Sequence, residues 1–440
     1  VDEEFLNRRL ETMSSDELRS IQESKFLKQL DYVLGRSPFY QRKFAEAGIE
    51  RGDIRGLGDL PKIPFTEKDE LRKSQEDHPP LGFHAAADMV DVMRIHSSSG
   101  TTGVPTFIGI TKRDHQVWTE ITARSLFTQG LRRSDVVIHA VGLSFFVGGL
   151  PVKDAIEYLG ATFVPIGTGA SDRVVMTARK LGANVLHSTP SYALYLAEYV
   201  VKKYGMSPSE LGFRKFVVGA EPGGGVPSVR KKIQADFGSV VLEGMGNSDA
   251  APIIFGECRF QEGMHFCAQE YIVCELIDPE TGRVLEMSDG AQGELVYTLI
   301  ERESCPVLRF RTRDRVTVWS SRCSCGRTSF RVRCIGRTDD MLVVRGVNLF
   351  PSAIKDIVAS FSPRTTGDMI VVLDGPGPAV EPPVNVQVEY GSAAGDLAKL
   401  KTELEQEIRN RLVVKAEVQL VPQGTLPRFE MKARLVKQRD

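Results

Sequence analysis

The stretch Phe216-Val217-Val218-Gly219-Ala220-Glu221-Pro222 begins as an apolar run and ends in a glycine turn. Consecutive apolar residues bounded by a turn read as a buried strand. A glycine turn at the carboxyl end of a strand is where ligands sit in open α/β sheets. One such turn decides little, because most α/β proteins have several. The same unit recurs on either side of it. Short β-rich runs at residues 135–141, 161–166, 183–187 and 240–242 alternate with helical segments near residues 153–159 and 192–203. Strands that alternate with helices predict a largely parallel, doubly wound sheet.

Upstream, Ser14 and Glu17 have capping-box spacing, and Leu18, Ile21, Leu27, Leu30 and Leu34 recur at helical intervals behind them. Downstream of residue 290 the pattern changes. Residues 293–300 and 307–310 read as strands of a smaller β-rich subdomain. Beyond Gly336 the order is hairpin, helix (352–360), strand (369–373), strand (384–390), helix (397–411), strand (416–421). The predicted fold class is α/β: a large N-terminal α/β domain with a β-rich subdomain over residues 1–336, then a small mobile α+β C-terminal domain over residues 337–440. The hinge is expected near Asp339.

Composition excludes several classes. With 56 basic against 57 acidic residues there is no electrostatic footprint for nucleic acid or an anionic membrane. The densest basic stretch, residues 428–439, reads by itself as a solvated tail. The most apolar stretch, residues 136–152, is broken by His139, Ser144 and glycines, and is too short for a membrane span. The first residues, Val1-Asp2-Glu3-Glu4, do not form a signal peptide. Seven cysteines with no export signal argue against a disulfide framework. The expected location is the cytoplasm.

Five segments carry chemistry. His96-Ser97-Ser98-Ser99-Gly100-Thr101-Thr102-Gly103-Val104-Pro105-Thr106 lacks the Gly-Lys-Ser/Thr ending of a Walker loop. Its glycines still let backbone N–H groups approach a phosphate, and its hydroxyls add donors. A flexible surface loop is the competing reading. Gly219-Ala220-Glu221-Pro222 is the turn already described. Glu243-Gly244-Met245-Gly246-Asn247-Ser248-Asp249 also follows a strand, and Asp249 offers Mg²⁺ a hard carboxylate. In Arg309-Phe310-Arg311-Thr312-Arg313-Asp314, a carboxylate ending a strand can accept both hydroxyls of a ribose; an exposed ion-pair cluster is the alternative. The fifth segment, from Gly336-Arg337-Thr338-Asp339 to Gly346-Val347-Asn348, sits at the inferred domain boundary.

In this order and at these separations, the segments resemble the phenylacetate–CoA ligase branch of the adenylate-forming acyl-CoA synthetases. Thr189-Pro190-Ser191-Tyr192-Ala193 adds a further branch mark, and the similarity runs from the Pro38-Phe39-Tyr40 region to the C-terminal tail. The resemblance implies that a carboxylate attacks the α-phosphate of ATP, pyrophosphate leaves, and the thiol of coenzyme A takes the acyl group. It implies that Ser97, Ser98, Ser99, Gly100, Thr101, Thr102 and Gly103 hold the triphosphate. Gly219, Ala220, Glu221 and Pro222 would line the adenine and acyl sites. Glu243, Met245 and Gly246 would flank the adenine, Asp249 would bind Mg²⁺, and Asp314 would hold the ribose with Arg337 nearby. Asp339 would be the hinge, and Gly346 would lie on the coenzyme A side. Lys432, framed by Pro427-Arg428 and Ala433-Arg434, matches the lysine that reaches the α-phosphate during adenylation. Four positions depart from the pattern: Met431 replaces a glycine, Val104 a lysine, Met245 a tyrosine and Asp249 a glutamate. None removes an essential charge. A homodimer is also implied.

Cys258, His265, Cys323 and Cys325 would suit tetrahedral Zn²⁺ in a structural role. Cys267 is an alternative ligand, and buried free cysteines are the competing reading. Some branch members carry zinc in this region. The acyl pocket is expected around Phe145, Phe146, Gly148 and Gly149, with His187 and Ala220. Two phenylalanines beside paired glycines make a flat apolar slot for an aryl ring. The changed lining points past phenylacetate to a benzoate-type acid such as anthranilate, and His187 can bond to a ring substituent. Two rival readings stand beside the aryl acid–CoA ligase. One is an adenylating enzyme that loads a carrier protein; the other is a zinc-stapled nucleotide-binding protein without turnover.

Overall fold

In the computed structural model the described residues are 4–98, 106–338, 341–345, 347–375, 380–427 and 435–439. The chain divides into two compact units, the first comprising Val1–Gly167, Leu242–Thr312 and Val316–Arg333. The second comprises Thr168–Val241, Arg313–Arg315 and Cys334–Asp440.

In the first unit a short helix, Arg8–Glu11, precedes the predicted capped helix. Ser14 Oγ accepts from the Glu17 N–H and the Glu17 carboxylate accepts from the Ser14 N–H, and the helix runs Ser15–Arg36. Its apolar face buries Phe26, Leu30 and Val33 against Tyr40, Phe44, Ile54 and Leu308. Each such side chain contributes roughly 1.5–3 kcal/mol. The parallel pair Val136–His139 and Thr162–Pro165 is linked through the helix Leu150–Tyr158, as the alternating pattern predicts. The β-rich part follows the strand order Val284–Leu285, Ile272–Ile277, Gln292–Leu299, Phe310–Trp319, Arg331–Arg337, Met264–Phe266, Ala251–Glu257, Val240–Asn247. The helix Lys112–Thr128 packs on it through Val117, Trp118 and Ile121.

Three expectations need correction here. The strand expected at residues 240–242 continues to Asn247, so Glu243, Met245 and Gly246 lie within a strand and not in a turn. No strand covers 307–309; the strand begins at Phe310, and Asp314 sits in its middle and not at an end. Its burial alternates with the two-residue period of a pleated strand, placing Phe310, Thr312, Asp314, Val316 and Val318 on the buried face. The charge pattern Arg311-x-Arg313 displays only the other face.

In the second unit, Val185–Ser188 pairs in parallel with Lys215–Val218. Helices Ser171–Leu181, Pro190–Tyr204 and Pro227–Phe237 accompany this pair. The C-terminal part has the predicted order: a hairpin of Leu342–Val344 and Val347–Leu349, then a sheet ordered Ala416–Pro422, Val384–Tyr390, Thr365–Leu373, Val436–Gln438. Helices Pro351–Ser360 and Leu397–Leu412 bury Ile354, Ile357, Leu400, Leu404 and Ile408 against Val371, Val386 and Val418. The solvated-tail reading fails at its end, because Val436 pairs with Val371 and Gln438 with Leu373. No described helix is long and apolar enough to cross a membrane.

Candidate active site

In the first unit, the strands Val92–Ser97 and Phe107–Thr111 form an antiparallel hairpin with Ser97 opposite Phe107. The Ser/Gly/Thr stretch is therefore its connection. The hairpin is closed at the root: the Ser98 N–H donates to the Thr106 carbonyl at 3.0 Å, and Ser98 Oγ lies 2.8 Å from Thr106 Oγ1. Both residues are buried. Ser99, Gly100, Thr101, Thr102 and Gly103 lie outside the described residues, as do Asp339, Gly346 and Lys432.

The phenylalanine segment leans on the same root. The Ser97 N–H donates to the Phe145 carbonyl at 3.0 Å, and Ser97 forms a bridge with Phe146. The Phe145 ring is 45% exposed and lies 5.7 Å from the ring of Phe107. An aromatic this exposed is not satisfied by core packing. Phe146 is half-buried, and Gly148 leaves room beside it, since an added Cβ would meet only Val141 at 3.7 Å. At Gly149 a Cβ would come within 2.3 Å of the Gly142 carbonyl oxygen, so the turn requires glycine there.

On the strand Val240–Asn247, the Glu243 N–H donates to the buried Glu257 carboxylate at 3.1 Å. Met245 packs at the edge of the core cluster. At Gly246 a Cβ would lie 1.9 Å from the Pro252 carbonyl oxygen, so this position also admits only glycine without a shift of the chain. Asp249 follows in the turn, its N–H bonded to Asn247 Oδ1. Its carboxylate is bracketed by Lys68, whose Nζ lies 2.7 Å from each oxygen. Sequence reasoning missed Lys68: no spacing rule connects two residues 181 positions apart. Asp249 remains a carboxylate of the type that suits Mg²⁺, at a position where a cation is already accommodated.

In the second unit, Ala220 holds a left-handed backbone angle, φ 70°, at the turn after the strand Lys215–Val218. A non-glycine residue there stores strain, as functional turns often do. Glu221 Oε1 accepts from the Ser191 N–H at 2.7 Å, in the first turn of the helix Pro190–Tyr204, where the helix dipole favours a carboxylate. This ties Gly-Ala-Glu-Pro to Thr-Pro-Ser-Tyr-Ala. His187 is buried in the strand Val185–Ser188, and burial holds its pKa down to about 4. It is therefore neutral at pH 7. Arg337 Nη1 lies 3.0 Å from Asp314 Oδ1, bringing together the two residues assigned to the ribose.

Cys258, His265, Cys323 and Cys325 converge in the first unit. All four are buried, and their ligand atoms lie within 4.8 Å of one another. Cys258 Sγ is 3.7 Å from Cys323 Sγ, and Cys325 Sγ is 3.3 Å from His265 Nε2. Tetrahedral zinc with Zn–S near 2.3 Å requires sulfurs roughly 3.7 Å apart, so the donor set fits that ion. The Cys325 thiol is pulled well below its usual range, first by its hydrogen bond with Cys258 and then by His265, against the effect of burial. Cys267 stands apart, contacting Thr128 and the His265 carbonyl, and is removed as an alternative ligand.

The AMP-binding enzyme family matches residues 46–298, and the AMP-binding enzyme C-terminal domain matches residues 346–439. The phenylacetate–coenzyme A ligase of Thermus thermophilus is 36% identical over 439 residues, covering 96% of each chain. That of Pseudomonas putida is 34% identical over 428 residues, 96% of this chain and 94% of the other. Among solved structures, 2-hydroxyisobutyryl-CoA ligase in the postadenylation state with 2-HIB-AMP superimposes with a TM-score of 0.90 at 30% identity, over 100% of this chain and 95% of that one. The same ligase in the thioesterification state gives 0.73, over 100% and 94%. The chain thus belongs to the AMP-binding enzyme family, in its phenylacetate–CoA ligase branch, and is an AMP-forming acid–thiol ligase.

Proposed function

We propose that this enzyme activates an aromatic carboxylic acid, phenylacetate or a benzoate- or anthranilate-type acid, and transfers the acyl group to coenzyme A. The observation that carries the aryl reading is the exposed Phe145 ring, fixed through its carbonyl to the root of the phosphate loop. This sets a flat apolar surface beside Ser97, at the root of the loop that would cradle the triphosphate. The higher identity to the phenylacetate ligases, 36% against 30% for the 2-hydroxyisobutyryl-CoA ligase, favours the same side. His187 is neutral at pH 7, and a neutral imidazole suits an amino or hydroxyl substituent better than a charged one.

In the first step an oxygen of the acid bonds to the α-phosphorus and pyrophosphate leaves; in the second the coenzyme A sulfur bonds to the carbonyl carbon and AMP leaves. Ser97, Ser98, Ser99, Gly100, Thr101, Thr102 and Gly103 would cradle the triphosphate, Asp249 would hold Mg²⁺, Asp314 and Arg337 would face the ribose, and Lys432 would reach the α-phosphate. Residues 1–336 and 337–440 would act as the two domains, hinged at Asp339, with Gly346 on the coenzyme A side. Zinc on Cys258, His265, Cys323 and Cys325 would be structural, since four protein ligands leave no open position.

The test is pyrophosphate release with a panel of aryl acids and 2-hydroxyisobutyrate, with and without coenzyme A. Lys432→Ala and Asp339→Pro are run alongside. Acid-dependent release with an acyl-CoA product is expected, falling about 10²–10³-fold in Lys432→Ala, as for loss of a preorganised donor. Asp339→Pro is expected to keep adenylation and lose thioester formation. Preference for 2-hydroxyisobutyrate would overturn the aryl reading. Release without acyl-CoA would point to a carrier protein, and silence from folded protein to nucleotide binding without turnover.

A further inference from the structure

The turn that carries Phe145 and Phe146 has little core packing to hold it. The Phe145 ring is exposed, and the helix that follows, Leu150–Tyr158, begins after Gly149, which has no side chain to cap it. Backbone bonds close the near end. The Gly149 N–H donates to the Phe146 carbonyl at 3.2 Å, and the Gly149 carbonyl accepts the Val152 and Lys153 N–H groups at 3.1 Å each. The far end is fixed by Asp154. Its Oδ2 accepts from Arg94 Nη1 at 2.7 Å and lies 2.9 Å from His115 Nε2. Arg94 is in the strand Val92–Ser97 and His115 in the helix Lys112–Thr128, so one carboxylate joins three elements of the first unit. The neighbouring Lys153 reaches the other oxygen at 3.4 Å and Glu157 at 2.7 Å. Asp154 retains 11% side-chain exposure. Burial alone would raise its pKa, but the bonds from Arg94 and His115 hold it below the ordinary carboxylate range.

These contacts close a circuit. Arg94 stands two residues before His96 on the same strand, and His96 Nδ1 lies 3.2 Å from the Phe145 carbonyl, which also accepts the Ser97 N–H. From Phe145 the chain runs through Gly149 into the helix and so back to Asp154. A turn held at both ends keeps its side chains in one geometry; released at one end, it does not. We infer that Asp154 is a positioning residue for the acid: by clamping the helix Leu150–Tyr158 to Arg94 it fixes the Phe145–Gly149 turn, and with it the width of the slot that selects the acyl group. This rests on the assignment of that turn to the acyl pocket. The Arg94 bond is charge-assisted and sheltered, and so outweighs an exposed surface pair. The hairpin is held independently, by the pairing of Ser97 with Phe107 and of Ser98 with Thr106. Loss of Asp154 therefore frees the turn and leaves the hairpin in place.

The test uses the full chain and two readouts. The variants are Asp154→Ala and Asp154→Asn, the second keeping the shape of the side chain in case the first fails to fold. In adenylation assays each is expected to raise KM for the aryl acid about tenfold or more and to narrow the discrimination among the acids of the panel. KM for ATP, and thioester formation from supplied acyl-adenylate, should stay within about twofold of wild type. Arg94→Met should reproduce the effect, Arg94→Lys should show less of it, and Arg94→Met combined with Asp154→Ala should be no worse than either alone. Hydrogen exchange without substrate is the second readout: amides of residues 145–153 should exchange about tenfold faster in Asp154→Ala, with the remainder of the first unit unchanged. Unchanged exchange, an unchanged KM for the acid, or a fall of every kinetic constant together with the thermal midpoint would overturn the inference. If the wild-type chain turns over no acid in the panel, the proposed function fails, while the exchange arm still decides whether Asp154 holds the turn.

Discussion

Two histidines owe their state to where the chain buries them. His187 and His84 are both driven to a pKa of about 4, from an ordinary 6.5, by loss of water around the charged form. The unfolded chain therefore binds more protons than the folded one between these values. Stability is complete above pH 6.5 and drains away as pH falls towards 4, by on the order of a few kcal/mol per histidine. Urea midpoints measured from pH 7.5 to 4.5 should fall across this window, and His187→Gln or His84→Gln should flatten the slope. An unchanged slope in both variants would refute the assignment. Neither state was legible in the sequence. His187 stood at the end of a β-rich run, where burial is foreseeable, but nothing local announces the loss of proton affinity.

At the scale of the element, the hairpin that carries Glu243, Met245 and Asp249 depends on Gly246, over which the Pro252 carbonyl sits. Gly246→Ala cannot be accommodated by a side-chain rotation, because the clash is with backbone. We expect a loss of about 1–3 kcal/mol, read as a lower urea midpoint with an unchanged slope. A midpoint equal to wild type would refute the close approach. Legibility at this scale followed periodicity. The capped helix Ser15–Arg36, the parallel strands and almost all of the C-terminal α+β order could be read because their patterns are local. The strand Phe310–Trp319 was misplaced because its half-buried arginines dominate the pattern, while the buried Asp314 meets its partner Arg337 only once the fold is made. The Lys68–Asp249 pair was invisible for the same reason.

For the whole molecule, the cysteine–histidine cluster joins the hairpin Ala251–Glu257/Met264–Phe266 to the loop after Trp319, positions far apart in sequence. A metal there binds only the folded chain, so its affinity appears as stability. Purified protein is expected to hold about one zinc per chain. Chelation or Cys323→Ser should lower the thermal midpoint while adenylation per folded molecule stays near wild type. Metal-free protein with a midpoint indifferent to chelator would leave the four as plain buried cysteines and histidine. The family was legible at this scale because its motifs are spread along the entire chain, and the acid was not, because a pocket is a property of shape.

The pairing of Val436–Gln438 with Thr365–Leu373 bears on how Lys432 works. Lys432, whose role is proposed above, stands four positions before Val436 in the sequence. Leu426, on the other side, is buried against Ile370, Val372 and Val421. The described residues on either side of that lysine are therefore held by the sheet and core of the C-terminal part. On its proposed role, part of that lysine's catalytic strength is supplied by residues that never touch the substrate.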